Sequence, residues 1–194
     1  MKALLPLLLV AGAAAAQEQP KLLPDRDVTI VYRLGGAAAE SIPGGAAGSV
    51  RVAWSAAGQR LRAEPEGRPQ SVLVELGGAP SVKVVDSGLH ASMSLPVRAS
   101  DLQPMTLQGA HLTRRGRATV AGLACTEYAV QSSRGRGTVC LTPEGVALRA
   151  NGEVDGRSGT VTAVSVSYGA LPETLFRVPQ GYMQLAIPGV GRHH

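Results

Sequence analysis

Val120–Ala150 reads VAGLACTEYAVQSSRGRGTVCLTPEGVALRA and holds both cysteines of the chain, Cys125 and Cys140. Apolar runs flank a turn-rich centre, Gln131 to Gly137, and a second turn follows at Thr142-Pro143-Glu144-Gly145. Short β-branched runs bounded by Gly, Pro and Ser read as strands. The stretch therefore predicts three antiparallel strands. A hairpin centred on Ser132 and Ser133 sets Cys125 directly opposite Cys140. Directly paired antiparallel residues have Cα atoms about 4.5–5.5 Å apart, a span that a disulfide accepts. A closed loop of this length stabilises by about 3 kcal/mol through the unfolded chain. The alternative, a redox or metal pair, lacks a C-x-x-C motif and a histidine close in sequence. The cysteines alternate in phase with Glu127, Thr138 and Thr142, which predicts a staple on the more polar face.

The N-terminus points to an oxidising compartment. Met1-Lys2 is a short positive region, Ala3 to Ala15 is apolar, and Ala14-Ala15-Ala16 fits a small-residue cleavage site. That is the pattern of a secretory signal peptide, residues 1–16. The apolar run falls short of the roughly 20 residues of a membrane span, so no transmembrane segment is expected in the mature chain. Export, with the periplasm as the expected destination, favours oxidised cysteines.

Residues 17–194 suit a single domain, with a disordered tail from about residue 189. The chain is 44% hydrophobic but only 3% aromatic, with 24 Gly and 13 Pro. Its core must be built from Val, Leu, Ala and Ile. The formal charge of +5 suits anionic lipid or acidic polymers, while nucleic acid is not an expected partner of an exported chain.

Period-2 alternation recurs along the chain. It appears in Asp27–Leu34, Ser49–Ser55, Gln59–Glu64, Ser71–Leu76, Ser81–Asp86 and Leu89–Leu95. These are six strands of an antiparallel meander, because parallel sheets are covered on both faces and lose the alternation. Val97–Leu107 is the place for a short helix or crossover, with Ser100 as cap and Pro104 limiting its length. Strands resume at Leu112–Val120 and end with Thr160–Tyr168, where Val164, Val166 and Tyr168 share a face. The tail from Leu171 to Tyr182 packs back on the sheet edge. The Gly/Ala-rich segment Gly35–Gly48 lacks the lysine and hydroxyl residue of a phosphate loop. It reads as a loop long enough to lie over a sheet concavity.

Chemical motifs are sparse. No G-x-S-x-G elbow or S-x-x-K motif is present, and His90, His111, His193 and His194 show no zinc spacing. No catalytic residue, cofactor or metal is assigned, and a non-enzymatic role is expected. Arg114, Arg115 and Arg117 form one basic cluster and Arg134 and Arg136 another, suited to anionic headgroups or an acidic partner.

Several segments together carry a resemblance: Asp27–Arg33, the Val52-Ala53-Trp54-Ser55…Arg60-Leu61-Arg62 hairpin, Val120–Tyr128, Val139–Val146 and Phe176–Tyr182. With the signal peptide, they resemble a group of exported bacterial proteins similar in strand pattern to the LolA/LolB-like lipoprotein-carrier superfamily. The resemblance covers most of the mature chain. It implies a mainly β fold (α+β at most): a curved antiparallel sheet, or half-open β-barrel, with a short helical or loop element over its concave face. It also implies an apolar ligand, a lipid or lipoprotein, in the concavity. Val28, Ile30, Tyr32, Val50, Val52, Trp54, Val72, Val74, Met93 and Leu95 are the expected wall, ordinary core being the competing assignment for each. The other expected role is that of an envelope protein that meets a partner through a sheet edge or its arginines.

Overall fold

The computed structural model describes residues 19–41 and 48–186. The expected signal peptide and the tail from residue 189 lie outside them. Six strands make the first meander: β1 Val28–Gly36, β2 Ser49–Ser55, β3 Arg60–Pro65, β4 Gln70–Glu75, β5 Ser81–Asp86 and β6 Ala91–Leu95. Five make the second: β7 His111–Val120, β8 Leu123–Ser132, β9 Gly135–Leu141, β10 Ala147–Val154 and β11 Arg157–Tyr168. Pairing of β1 with both β2 and β11 joins the two meanders into one curved, unclosed sheet. A last strand, β12 Met183–Leu185, runs parallel to β6 and forms one edge; β7 forms the other.

Cross-strand register explains the alternation. Val28, Trp54, Leu61, Val74, Val82 and Leu95 stand opposite one another on six consecutive strands. Ile30, Val52, Ala63, Val72, Val84 and Met93 form the next row. Such same-face neighbours are the packing unit of a sheet. Over them lies helix α2, Ala99–Thr106, whose Leu102 is buried against Val74 and Val82. Burying that leucine contributes about 1.5–3 kcal/mol. The Asp101 carboxylate, not Ser100, caps α2 by accepting the Arg98 N–H at 2.8 Å. The helix ends two residues past Pro104, whose missing N–H interrupts the i→i−4 ladder and limits its length.

The main core gathers Val28, Ile30 and Trp54 of the first meander with Val120, Cys125, Cys140, Leu148 and Ala163 of the second, and with Val146. The segment before β1 closes this end: Trp54 donates its indole N–H to the Pro24 carbonyl at 2.8 Å, and the Asp25 N–H bonds the Glu144 carbonyl at 3.0 Å. Asp27 accepts backbone N–H groups of Ala56 at 2.9 Å and Leu171 at 3.0 Å, tying the first meander to the tail.

The Cys125–Cys140 disulfide is present, with Cα atoms 5.4 Å apart, but its setting differs from expectation in two respects. The hairpin turns at Ser133-Arg134, which places Glu127, not Cys125, opposite Cys140. The bond thus joins diagonal neighbours two residues out of register. It is also buried rather than set on a polar surface: Cys125 is 4% and Cys140 1% exposed. Arg149, opposite Cys140 on the far side of β9, donates to Glu127 at 2.6 Å across the strand between them. The two polar side chains meet each other over the cysteine, and the sulfur is left in the core.

Three other expectations are corrected. Leu89 and His90 belong to the turn before β6, with His90 at φ 48° and its ring 5.4 Å from that of Tyr182. Val164 leaves the face of Val166 and Tyr168 because a bulge interrupts the β1–β11 register there. The Gly35–Gly48 segment starts not as loop but as the end of β1, followed by a one-turn helix α1, Ala37–Glu40. The tail does pack back, but first on the interior strand β3 rather than at the sheet edge: Arg60 bonds Glu173 at 3.2 Å, and the Arg62 guanidinium donates to the Leu175 carbonyl at 3.1 Å.

Candidate functional site

Beyond the core rows, β1 carries its inner face onward through Tyr32, Leu34 and Gly36. Two transverse rows follow from register. The first runs Leu34, Val161, Ala150, Val139 and Tyr128 across β1, β11, β10, β9 and β8. The second runs Gly36, Gly159, Gly152, Gly137 and Val130. Four strands in succession thus place a glycine at the same level. Glycine inside a strand often marks a close approach of another backbone. That holds here: a Cβ on Gly159 would sit 2.8 Å from the Ala38 nitrogen, and one on Gly137 2.3 Å from the Asn151 carbonyl oxygen. Gly36 adopts φ 57°, a left-handed conformation that turns the chain into α1 at little steric cost.

The glycine row removes a line of side chains, and a half-open cavity of about 710 Å³ occupies the space. Val130, Val139, Ala150 and Val161 supply its apolar floor, with backbone exposed at the glycines. Ala37 and Ala38 of α1 form one wall, and Leu107–Ala110, which leave α2, form another. The mouth is polar. Arg134 pairs with Asp155 at 2.5 Å across two hairpin turns, and Arg157 pairs with Glu40 at 2.6 Å, tying α1 to β11. The Arg134 hydrogen bond holds the Asp155 carboxyl below its ordinary pKa and raises that of the guanidinium, so the pair stays ionised. Exposed pairs of this kind contribute little stability; they orient the rim.

The ten residues expected as a wall do share one face. Val28, Ile30, Val50, Trp54 and Val74 are buried, while Tyr32, Val52, Val72, Met93 and Leu95 are half-buried. None of the ten lines the 710 Å³ cavity, which lies further along the same face. Tyr32 stands at the boundary. Its hydroxyl donates to the Ala147 carbonyl at 2.8 Å, and burial, with Tyr168 nearby, pushes its pKa above the ordinary tyrosine value. The sequence signal for the cavity was glycine at strand positions, but Gly135 and Gly137 read as turn and Gly152 and Gly159 are separated by a turn of their own.

The two arginine clusters separate. Arg134 is engaged by Asp155, and Arg136 is exposed beside it. Arg114, Arg115 and Arg117 lie on the edge strand β7, beside β8, whose Val130 is part of the cavity floor. Among the described residues no group of three or more His, Cys, Asp or Glu side chains is placed to hold a metal, and no helix is long and apolar enough to cross a membrane.

No protein-family model and no curated protein matches the chain. Solved structures with a similar course of chain include MucB, at 14% identity over 86% of this chain and 62% of that one, with a TM-score of 0.43. They also include the lipoprotein LppX of Mycobacterium tuberculosis, at 17% identity over 71% of this chain and 84% of that one, TM-score 0.39. A third is a putative outer membrane lipoprotein-sorting protein domain from Vibrio parahaemolyticus, at 10% identity over 78% and 89%, TM-score 0.38. The chain spans about three-fifths of the length of MucB. At these identities no residue role passes from these structures to this chain.

Proposed function

We propose that this chain is an exported, non-enzymatic binding protein that holds an apolar ligand, a lipid or the acyl part of a lipoprotein, in the glycine-row cavity. The observation that carries the reading is the cavity itself: about 710 Å³, with Val130, Val139, Ala150 and Val161 on its floor. Ligand pockets of about 300–1,000 Å³ with apolar linings and few polar groups have this character.

The test is to fill the cavity. Ala150→Trp places a large side chain on the floor between Val139 and Val161. Fluorescent fatty-acid binding should fall at least about tenfold, while the circular dichroism spectrum stays that of the wild type. Native mass spectrometry of protein from its own host should find a bound lipid that the variant lacks. Equal binding by wild type and variant would overturn the assignment.

A further inference from the structure

Among the described residues no strand bonds the outer edge of β7. Its ten residues, HLTRRGRATV, are mostly exposed. An exposed edge strand offers a row of N–H and C=O groups to any extended chain, and proteins commonly guard such edges with charge and bulges. Here both devices are present, and their arrangement is selective. The β7–β8 register shifts between Arg114 and Gly116, so that Arg115 is the extra residue. Arg114 stands opposite Tyr128 and Arg117 opposite Thr126. Regular alternation would send residues three apart to opposite faces; the bulge brings Arg114 and Arg117 to the same one.

Like Arg33, Arg51 and Arg136, these arginines lack, among the described residues, the ion-pair partner that six other arginines have. Arg60, Arg62, Arg134, Arg149, Arg157 and Arg177 are ion-paired. Among the described residues Arg114, Arg115 and Arg117 have no carboxylate at ion-pair distance. The acid nearest in register, Glu127 opposite Gly116, is engaged by Arg149.

We propose that β7 is a docking edge for an extended acidic segment of another protein, which adds a strand to the sheet and sets carboxylates against Arg114 and Arg117. Strand addition draws affinity from the backbone and specificity from alternate side chains. A second copy of this chain is disfavoured, because two β7 edges would place arginine against arginine, and like charges directly opposite destabilise a strand pair. A lipid surface would leave the edge amides without partners. The exposed apolar residues that a membrane would take, Leu89, Met183 and Leu185, cluster around the opposite edge, at the turn before β6 and in β12. The proposal is independent of the cavity.

The experiment uses the full mature chain and two capped peptides of about ten residues, one alternating valine with glutamate, the other valine with lysine. Binding is followed by fluorescence anisotropy, and the site by hydrogen exchange. The glutamate peptide should bind, protect amides within 111–120, and weaken as salt rises to about 0.5 M. R114S/R117S should lose roughly tenfold in affinity, and R114K/R117K should recover most of it. The lysine peptide should not bind. Protection elsewhere in the sheet, equal binding by R114S/R117S, or arginine-dependent binding only to phosphatidylglycerol vesicles would each overturn the proposal.

Discussion

Cys140 stands directly opposite Glu127 on β8, yet its sulfur is bonded to Cys125, two residues further along that strand. The staple is diagonal, and with Cys140 only 1% exposed it belongs to the core rather than to a surface. Replacing both cysteines by alanine should therefore cost about 3 kcal/mol from lost loop closure. Urea denaturation of oxidised protein and of the double variant measures this. Burial adds a kinetic expectation: a reducing agent should open the bond slowly in native buffer and quickly once urea unfolds the chain. Equal reduction rates in both conditions would show a solvent-exposed bond.

Leu148 joins the two halves of the core. It is the extra residue at the β9–β10 register shift, and it is fully buried against the main cluster. Leu148→Ala should destabilise by about 2–5 kcal/mol, the range for large-to-small changes that leave a cavity. Val154, on the same strand but 45% exposed, is the control. Val154→Ala should change stability by no more than about 0.5 kcal/mol. Equal midpoints for the two variants in a denaturant titration would contradict the packing described.

Two tyrosines offer a paired test of polar burial. The Tyr32 hydroxyl donates to the Ala147 carbonyl, whereas the buried Tyr168 hydroxyl has no hydrogen-bond partner among the described residues. Tyr32→Phe should cost about 1 kcal/mol, because it leaves a carbonyl unpaired. Tyr168→Phe should be neutral, or stabilising by up to about 1 kcal/mol, because it removes an unpaired group. Thermal melts of the two variants should shift in opposite directions or differ clearly in size.

Asp86 governs part of the acid response. N–H groups of Leu89 and Gly88 and the Gln70 amide donate to its carboxylate at 2.9, 2.9 and 2.7 Å. Chiefly the Leu89 bond, then that of Gln70, holds its pKa below the ordinary value. A carboxylate with a folded pKa lower than its unfolded one stabilises the fold above the unfolded pKa and loses that contribution as pH falls through the folded pKa. Melting temperature against pH should show Asp86→Asn below wild type above about pH 5, with the gap closing toward about pH 2. A gap independent of pH would assign the effect to packing rather than ionisation.

How much of the molecule was legible depended on the range of the interaction concerned. Alternation of apolar and polar side chains is a local pattern. It marked β2 and β5 to the residue and β1, β3, β4, β6, β7 and β11 to within three residues, while β12 carried no such signal; the turns at Gly77-Gly78 and Ser87-Gly88 carried their own glycine signals. The disulfide was legible because two cysteines in an antiparallel hairpin have few alternatives. The face rows followed for the ten expected wall residues, because strands β1 to β6 pair without bulges among themselves.

The sequence by itself therefore determined that this is a β meander in two parts with a short helix or crossover between them and one disulfide. Tertiary structure alone decided which residues stand opposite one another. A shift of the hairpin turn from Ser132-Ser133 to Ser133-Arg134 moved Cys125 out of line with Cys140. Register shifts at Arg115, Leu148 and Val164 changed which side chains share a face. The cavity depends on the same kind of fact. Gly36, Gly137, Gly152 and Gly159 are scattered along the chain, and only non-local pairing brings them into one row. Side-chain alternation constrains each strand separately, whereas register is settled by all the cross-strand contacts and closures at once.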